Sequence, residues 1–341
     1  MPNRSVTDRL NAGEVLLMDG GMGSELHRRG VNVLKDATAA TGLETWTAQA
    51  NVDAGDVVTQ IHQDYLRVGA DIIITNSFWT RPTVLRRSGL EDRWEEYATA
   101  AARNAVTARD NMAPDAYVAG GMAPPNLQRR FGNESADYLV SPLPKGNNPP
   151  DVEIMGRDQF HKEFADESRL LAHEGADVML PEYMGRIADC VESVDACAES
   201  GKPVWLGVRH VASDGSMHYG ESLADLVAAL EGHPVDAILV MCSNPPATTA
   251  ALRVLRDAFD GVIGAYPNIG YNPTGPLRDD MVLTNQEKAK GRDILQTGSY
   301  PPSRMAEFAA EWKEMGAQII GGCCASGPEH IMAMRPVVKG D

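Results

Sequence analysis

The stretch "QIIGGCC", residues 318–324, combines an apolar run, a glycine pair and two adjacent cysteines, and it decides the fold because it is the last of eight similar runs. Each run of about five to eight apolar residues ends in small, polar or turn residues. Unbroken Val, Ile and Leu content is typical of strands that are buried on both faces, as in parallel sheets. The other seven are "EVLLMDGG" (14–21), "ADIIITNSF" (70–78), "AYVAGGM" (116–122), "ADVMLPEYM" (176–184), "PVWLGVRH" (203–210), "DAILVMCS" (236–243) and "GVIGAYPN" (261–268).

Amphipathic stretches separate these runs, such as "DRWEEYATAAARNAVTARDN" and "SRMAEFAAEWKEMG". Eight alternations of strand and helix predict an α/β protein, a single (β/α)8 TIM barrel that occupies residues 1–341 as one domain. An open doubly wound sheet is the alternative. Residues 124–151 and 271–302 are rich in Pro, Gly and Asn. They predict long loops after the third and seventh strands, at the end of a barrel where active sites lie.

Composition restricts the classes of partner. The 341 residues carry 31 basic and 47 acidic side chains, for a net charge of −16. This balance argues against nucleic acid, whose binders carry a basic stripe. The N-terminal stretch has no signal-peptide pattern, and no apolar stretch of about 18 residues could span a bilayer. We therefore expect a cytoplasmic protein with small-molecule substrates and no membrane partner; homo-oligomerisation stays open.

Five cysteines are present, an odd number that does not favour a disulfide framework. Cys242 ends the sixth run, and Cys323 and Cys324 end the eighth, so a barrel would bring all three to one mouth. Three thiolates with an open fourth position are typical of catalytic zinc. Small buried hydrophobes or a redox pair are alternatives. Cys190 and Cys197 lie seven residues apart on a predicted helix face and are interpreted as core or near-surface residues.

Several of these motifs together resemble the homocysteine S-methyltransferase family over residues 14–335. They are "MDGGMGSEL", "TNSF", "VMCSNP", "YPNIGY" and "GGCC". The resemblance implies a zinc-bearing (β/α)8 barrel that methylates a thiol in methionine biosynthesis, with Cys242, Cys323 and Cys324 as the Zn²⁺ ligands. It also implies that Asp19 and Glu182 bind the ammonium group of homocysteine and that the backbone N–H of Gly20 binds its carboxylate.

Zinc ligation accounts for the chemistry. A free thiol has a pKa of about 8.5 and is mostly protonated at neutral pH, whereas a zinc-bound thiol is deprotonated. No catalytic side chain is therefore predicted beyond the zinc-activated thiol of the substrate. Three residues at strand ends are expected to support the pocket by hydrogen bonds, namely Asn76, Ser77 and Asn268.

The methyl donor is expected to be a small onium compound of the betaine or sulfonium type, because such cations bind aromatic rings. Candidate donor-binding residues are Trp46, Trp79, Tyr183 and His210. Tyr183 in "EYM" and Trp46 in "TWTAQA" resemble stretches of the betaine-using branch. The chain departs from the family in "ASGPEH", where many relatives have "GTTPEH", and at His210, where relatives commonly have Ser. Both departures leave the donor, and whether homocysteine is the acceptor, open.

The predicted function is the zinc-dependent transfer of a methyl group from this donor to the homocysteine thiol, which gives methionine. One alternative is a thiol methyltransferase module that takes the methyl group from a separate corrinoid protein. Another is a non-catalytic zinc- or thiol-binding barrel, against which the acidic pair Asp19 and Glu182 argues.

Overall fold

A computed structural model of the chain describes residues 2–31, 45, 47–124, 126–128, 135–139, 153–270 and 300–340. All eight predicted strands are present within these ranges, and every pairing among them is parallel. They are β1 (Leu16–Leu17), β2 (Ile72–Ile74), β3 (Tyr117–Met122), β7 (Val178–Pro181), β8 (Trp205–Arg209), β9 (Ala237–Met241), β10 (Val262–Tyr266) and β11 (Ala317–Ile320).

These strands form two parallel sheets. One has the order β1-β11-β10-β9-β8 and the other the order β2-β3-β7. Isolated parallel bridges join Met18 to Ile72 and Met179 to Val204, at the two edges of the smaller sheet. The chain is thus an α/β fold with parallel sheets, and the carboxyl ends of its strands point to the same side.

Neighbouring residues of one strand belong to two different apolar clusters, which explains the unbroken apolar runs. Leu16 and Ile319 lie in a cluster built mainly from strand side chains, with Trp205 and Leu239. Leu17 and Ile320 lie in the larger cluster, which also contains helix side chains. Because successive strand residues point to opposite faces, burial of both faces requires apolar residues at consecutive positions.

Helices separate the strands and cover their outer face. Within the described ranges they are α1 (Val6–Asn11), α2 (Met22–Arg28), α3 (Ala50–Asp53), α4 (Gly55–Arg67), α5 (Pro82–Leu85), α6 (Trp94–Met112), α7 (Arg157–His173), α8 (Ile187–Ala198), α9 (Leu223–Ala229), α10 (Pro245–Ala258), α11 (Pro302–Glu314) and α12 (Pro328–Lys339). Two 3-10 turns, Arg86–Ser88 and Glu91–Arg93, precede α6. Cys190 and Cys197 on α8 are fully buried, as expected of core residues. None of the described helices is long and apolar enough to cross a membrane.

The prediction of a long loop over residues 124–151 is wrong in part. Two short strands lie inside it, β4 (Asn126–Gln128) and β5 (Ser135–Leu139), and they pair in antiparallel fashion. A third, β6 (Glu153–Ile154), follows the segment and pairs with β5 in parallel. The high Pro, Gly and Asn content of the segment is typical of loops, so the sequence gives no signal for the short strands. Of the second predicted loop, residues 271–299 lie outside the described residues, and α11 begins at Pro302.

Candidate metal centre

The three candidate cysteines converge at the carboxyl ends of two strands. Cys242 follows β9 directly, whereas Cys323 and Cys324 follow β11 after two glycines. Their Sγ atoms are 3.4 Å (Cys242 to Cys323), 3.8 Å (Cys242 to Cys324) and 3.7 Å (Cys323 to Cys324) apart. Tetrahedral Zn²⁺ with Zn–S bonds of about 2.3 Å separates its sulfur ligands by about 3.8 Å. The sulfur positions therefore fit three of the four ligand positions of one tetrahedral metal ion.

The glycine pair before Cys323 is required by close backbone packing. A Cβ atom on Gly321 would lie 2.8 Å from the Cβ atom of Met18, and one on Gly322 would lie 2.3 Å from the Cβ atom of Ser326. The Gly322 N–H donates to the carbonyl of Asp19 at 2.8 Å. The glycines thus let the end of β11 lie directly against the end of β1, which brings Asp19 near the cysteines.

The segment after Cys324 is fixed by hydrogen bonds from neighbouring helices. Ala325 adopts a φ of 68°, its N–H donates to Ser24 Oγ at 3.2 Å, and its carbonyl accepts from Arg28 Nη2 at 2.8 Å. The Tyr65 hydroxyl donates to the Ser326 carbonyl at 2.9 Å. These contacts hold the turn that carries both adjacent thiols.

Arg28→Met is therefore expected to weaken metal binding about tenfold to a hundredfold, because residues that orient metal ligands have effects of this size. The measurement is competition for Zn²⁺ with a chromogenic chelator. Arg29→Met, at the residue that directly follows this helix, serves as the control, since Arg29 pairs with Asp64 on the surface. Equal zinc affinity in the Arg28 variant and the wild type would contradict this role of Arg28.

Three residues that directly follow or nearly follow neighbouring strands adopt left-handed backbone conformations. Tyr183 (φ 64°), His210 (φ 50°) and Cys242 (φ 51°) come after β7, β8 and β9. Such a conformation costs on the order of 1 kcal/mol for a non-glycine residue and recurs where side chains are aimed into a functional site. These left-handed conformations are therefore a second indication that the functional site lies at the carboxyl ends of these strands.

Asp19 and Glu182, the predicted ammonium ligands, are both buried beside the cysteines. Asp19 Oδ2 accepts from the Ile74 N–H at 2.9 Å, while Oδ1 has no hydrogen-bond partner within the described part of the chain. Glu182 Oε2 accepts from the Tyr266 hydroxyl at 3.1 Å. Burial raises the pKa of Asp19, and the charge of Glu182 raises it further. Burial also raises the pKa of Glu182 to about 8, with the nearby Cys323 as the second cause. A cation bound between the two carboxylates would relieve this cost.

The raised pKa of Glu182 gives a pH-dependent stability. The folded protein retains this proton up to a pH of about 8, whereas an unfolded glutamate loses it near 4.5. The folded state binds more protons between these values, so the free energy of unfolding falls as the pH rises through this window. Between pH 6 and pH 8.5, we expect the free energy of unfolding, measured with urea, to fall by at least about 1 kcal/mol more in the metal-free, reduced wild type than in Glu182→Gln. An equal fall in the free energy of unfolding in the two proteins would contradict the raised pKa of Glu182.

Glycines make room for Glu182. A Cβ atom on Gly121 would lie 2.6 Å from Glu182 Oε1, and one on Gly207 would lie 2.3 Å from the Tyr266 hydroxyl and 3.0 Å from the Glu182 Cβ atom. Gly121 of β3 and Gly207 of β8 therefore need to be glycine, because any side chain there would displace the carboxylate or its hydrogen-bond donor.

The remaining predicted pocket residues make different contacts. Asn268 lies next to the metal ligands, with its Nδ2 donating to Cys242 Sγ at 3.9 Å. Hydrogen bonding with the two neighbouring thiols, chiefly Cys323, lowers the pKa of Cys242. Asn76 Nδ2 instead donates to Thr47 and Asn51. Those bonds tie the end of β2 to the segment around α3.

Ser77 is also engaged between strands. Its Oγ atom donates to the Gly121 carbonyl at 2.8 Å and lies 2.5 Å from Thr75 Oγ1. The side chains of Ser77 and Asn76 thus hold the strand ends that surround the site, whereas Gly20 packs closely against the backbone of Ser326. A Cβ atom on Gly20 would be 2.4 Å from the Ser326 carbonyl oxygen.

The candidate donor residues form part of an aromatic row. The ring of Tyr183 makes edge contacts with Phe78 (centroids 5.5 Å apart) and His210 (5.3 Å), and Trp79 is buried behind Phe78 at 5.8 Å. The Arg209 guanidinium lies over the Tyr183 ring at 4.5 Å. This cation covers one face of Tyr183, so an onium group would have to use its other face or the neighbouring rings. Trp46 lies outside the described residues.

Three residues at this site were missed by the sequence analysis. Phe78 contacts Tyr183, Tyr266 binds Glu182, and Met241 Sδ accepts from the Tyr183 N–H at 2.8 Å. Phe78 directly follows Ser77, and Tyr266 precedes the "PN" that contains Asn268. Their positions at strand ends could have identified them, because every strand of this kind places its carboxyl-terminal residues at the same rim.

Comparison with known proteins agrees with this geometry. A family model described as Homocysteine S-methyltransferase matches residues 16–338. The Homocysteine S-methyltransferase of Escherichia coli (strain K12) is 26% identical, over 98% of this chain and 97% of that protein. Rat Betaine–homocysteine S-methyltransferase 1 is 22% identical, over 97% of this chain and 74% of that protein.

The fold is similar to that of a solved relative. The crystal structure of the homocysteine methyltransferase MmuM from Escherichia coli, metallated form, superposes with a TM-score of 0.69 at 24% identity, covering 96% of this chain and 98% of that one. The family model spans nearly the whole chain, including the three convergent cysteines. The chain belongs to the homocysteine S-methyltransferase family.

Proposed function

We propose that this protein binds Zn²⁺ through Cys242, Cys323 and Cys324 and transfers a methyl group from a small onium donor to the thiol of homocysteine, giving methionine. The observation that carries the proposal is the placement of three thiols, 3.4–3.8 Å apart, beside two buried carboxylates. Thiolates are the protein ligands that Zn²⁺ favours, and the bound ion supplies Lewis acidity that keeps the substrate thiol deprotonated.

The carboxylates orient the amino-acid end of the acceptor. Asp19 and Glu182 accept hydrogen bonds from its ammonium group, and the backbone N–H of Gly20 donates to its carboxylate. The unpartnered Asp19 Oδ1 supports this assignment, because a buried carboxylate oxygen without a donor is costly unless a ligand supplies one. Asn268 stabilises negative charge on Cys242 through its Nδ2 contact. Asn76 and Ser77 fix the end of β2 next to Asp19.

The transfer is a displacement at the methyl carbon. A sulfur lone pair of the acceptor forms the new S–C bond while the bond from that carbon to the onium nitrogen or sulfur breaks. The electron pair of the broken bond stays on the donor atom, which leaves without its positive charge, and the thiol proton goes to solvent. Phe78, Trp79 and Tyr183, with His210 at the Tyr183 hydroxyl, are the described residues that surround the donor, and Trp46 is assigned to the same role.

We infer further that residues 1–341 form one domain whose two parallel sheets close into a (β/α)8 barrel. The parallel bridges at both edges of the smaller sheet support closure. So does the cluster that contains Leu16 and Ile319, because residues from all eight parallel strands belong to it. In a closed barrel, the carboxyl ends of all strands surround one mouth. This would explain how β9 and β11, which are two strands apart, and also β1 and β7 contribute residues to the same site.

The experiment is methionine formation measured by mass spectrometry. Zinc-replete, reduced protein is incubated with homocysteine and one methyl-deuterated donor at a time: glycine betaine, dimethylsulfoniopropionate, S-methylmethionine or S-adenosylmethionine. We expect labelled methionine from at least one donor and none from the Cys242→Ala variant. No product from any donor, at one zinc per chain, would contradict the onium proposal and direct the search to a corrinoid partner or another acceptor.

A further inference from the structure

An ion pair with no exposed side-chain surface lies behind the loop that leaves β2. Arg81, at the start of α5, and Glu167 on α7 are both fully buried, and Arg81 Nη1 donates to Glu167 Oε2 at 3.0 Å. The guanidinium also lies over the Phe164 ring at 4.1 Å. Arg81 Nε and Nη2 donate to none of the residues that the structure describes. This pair is outside the metal centre, and the reaction described above does not use it.

The second oxygen of Glu167 binds the same loop. Its Oε1 contacts the Thr80 hydroxyl, and that hydroxyl also lies 3.0 Å from the Ser77 carbonyl oxygen. The carboxylate therefore contacts two successive residues, Thr80 and Arg81, through its two oxygens. Because the two side chains belong to successive residues, contact at two points fixes both the position and the direction of the loop that carries them.

The other side of the loop faces the site. Phe78 and Trp79 lie immediately before Thr80, and the Phe78 ring contacts Tyr183 at a centroid distance of 5.5 Å. The Phe78 carbonyl accepts from the Ala123 N–H at 3.2 Å. The loop is thus held at β3 on one side and at α7 on the other, with two aromatic rings between the two attachments.

Stability alone does not explain a buried ion pair at this place. Removing two charges from water carries a large free-energy cost, and apolar residues of similar volume often serve the fold as well or better. The two guanidinium nitrogens that have no partner among the described residues add to that cost. What the pair supplies, and apolar residues would not, is a directional attachment for the loop.

We propose that Arg81 and Glu167 are positioning residues, which hold the loop of residues 77–81 so that Phe78 and Trp79 form the donor side of the active site. The inference rests on the proposed function, because it concerns the donor rather than the acceptor. Neither residue touches substrate; both act through the two rings. The expected consequence of losing the pair is weaker donor binding with normal zinc and normal acceptor binding.

The test uses the double variant Arg81→Met/Glu167→Met in the full-length zinc-loaded protein. This variant leaves no unpaired buried charge and is expected to fold, whereas Arg81→Met alone would leave the Glu167 carboxylate buried and unpaired. We expect the KM for the donor to rise about tenfold, in line with the effect of small misplacements, with zinc content and the KM for homocysteine unchanged. Arg81→Lys should give an intermediate value. A donor KM equal to that of the wild type in the folded double variant would overturn the proposal.

Arg109→Met is the matched control. Arg109 is also a buried arginine paired with an acidic residue, Asp177, but that pair lies at the amino-terminal end of β7, away from the site. The control variant should leave the KM for the donor unchanged. A similar rise in donor KM in both proteins would show a general loss of packing and would overturn the positioning role.

A second measurement does not depend on turnover. The protein is labelled with 5-fluorotryptophan, and the ¹⁹F resonance of Trp79 is assigned with Trp79→Phe. We expect this resonance to shift or broaden in the double variant, whereas those of the core residues Trp205 and Trp312 stay unchanged. An unaltered Trp79 resonance would overturn the inference. If the wild type transfers methyl from no donor, the proposed function fails, and this resonance still decides whether the ion pair fixes the loop.

Discussion

Cys323→Ala is expected to lose the metal and the activity together. Three thiolates leave one open position, but two of them cannot hold Zn²⁺ against dilution in a site built for three. We expect bound zinc to fall from one per chain to a small fraction of that. Methionine formation should fall at least about a thousandfold, because only about 3% of a free thiol is ionised at neutral pH and the bound orientation of the sulfur is also lost. Metal analysis and initial rates on the same sample measure both losses.

Cys197→Ala is the matched control for this variant. Cys197 is a fully buried thiol on α8, outside the metal centre. Its truncation removes one buried sulfur and should cost on the order of 1 kcal/mol of stability, with zinc stoichiometry unchanged. Full zinc content in Cys323→Ala would refute its role as a ligand, and zinc loss in Cys197→Ala would show that the metal assay reports instability.

The eight strands and the convergence of the cysteines could be predicted from the sequence because each depends on a local pattern. A strand buried on both faces needs consecutive apolar residues, and the residue after such a strand lies at its carboxyl end. Cys242 and Cys323 are 81 positions apart, yet each directly follows or nearly follows a strand of the same sheet. Topology alone therefore brings them together.

The side-chain contacts could not be predicted in the same way. Asn76 directly follows the buried run that contains β2, just as Asp19 follows the run that contains β1. The Asn76 amide donates to Thr47 and Asn51, whereas Asp19 Oδ1 has no partner among the described residues. Which way a side chain turns depends on neighbours from distant segments, and no single-strand pattern encodes those. The same holds for Arg209, whose position over Tyr183 changes how an onium group could bind.

The short strands β4 and β5 show the limit in another form. Their segment contains several Pro, Gly and Asn residues, and the strands have only three and five residues. A strand of that length gives no periodic signal that stands out from loop sequence, because alternation is recognisable only over several residues. Their pairing with each other, rather than their own composition, forms this part of the structure.

Glu182→Gln is expected to keep the metal and to impair binding of the acceptor. The amide preserves the size of the side chain and can still accept from the Tyr266 hydroxyl, so the pocket should retain its shape. It loses the negative charge that faces the ammonium group. A hydrogen bond to a charged group contributes about 1.5–3 kcal/mol, so the KM for homocysteine should rise roughly tenfold to a hundredfold at unchanged zinc content. Steady-state kinetics at saturating donor measure this change.

An acceptor without the ammonium group separates charge recognition from general damage to the site. 4-Mercaptobutanoate has the thiol and carboxylate of homocysteine but no amino group, so the wild type should bind it weakly and Glu182→Gln should bind it no worse. Glu192→Gln is the control. Glu192 on α8 is another buried glutamate, and it pairs with His161 on α7. Its replacement should leave the KM for homocysteine unchanged. If Glu182→Gln raised the KM equally for homocysteine and 4-mercaptobutanoate, the carboxylate would not be an ammonium ligand. A rise confined to homocysteine would instead require a negative charge at residue 182, because the two acceptors differ only in the group that this charge would bind.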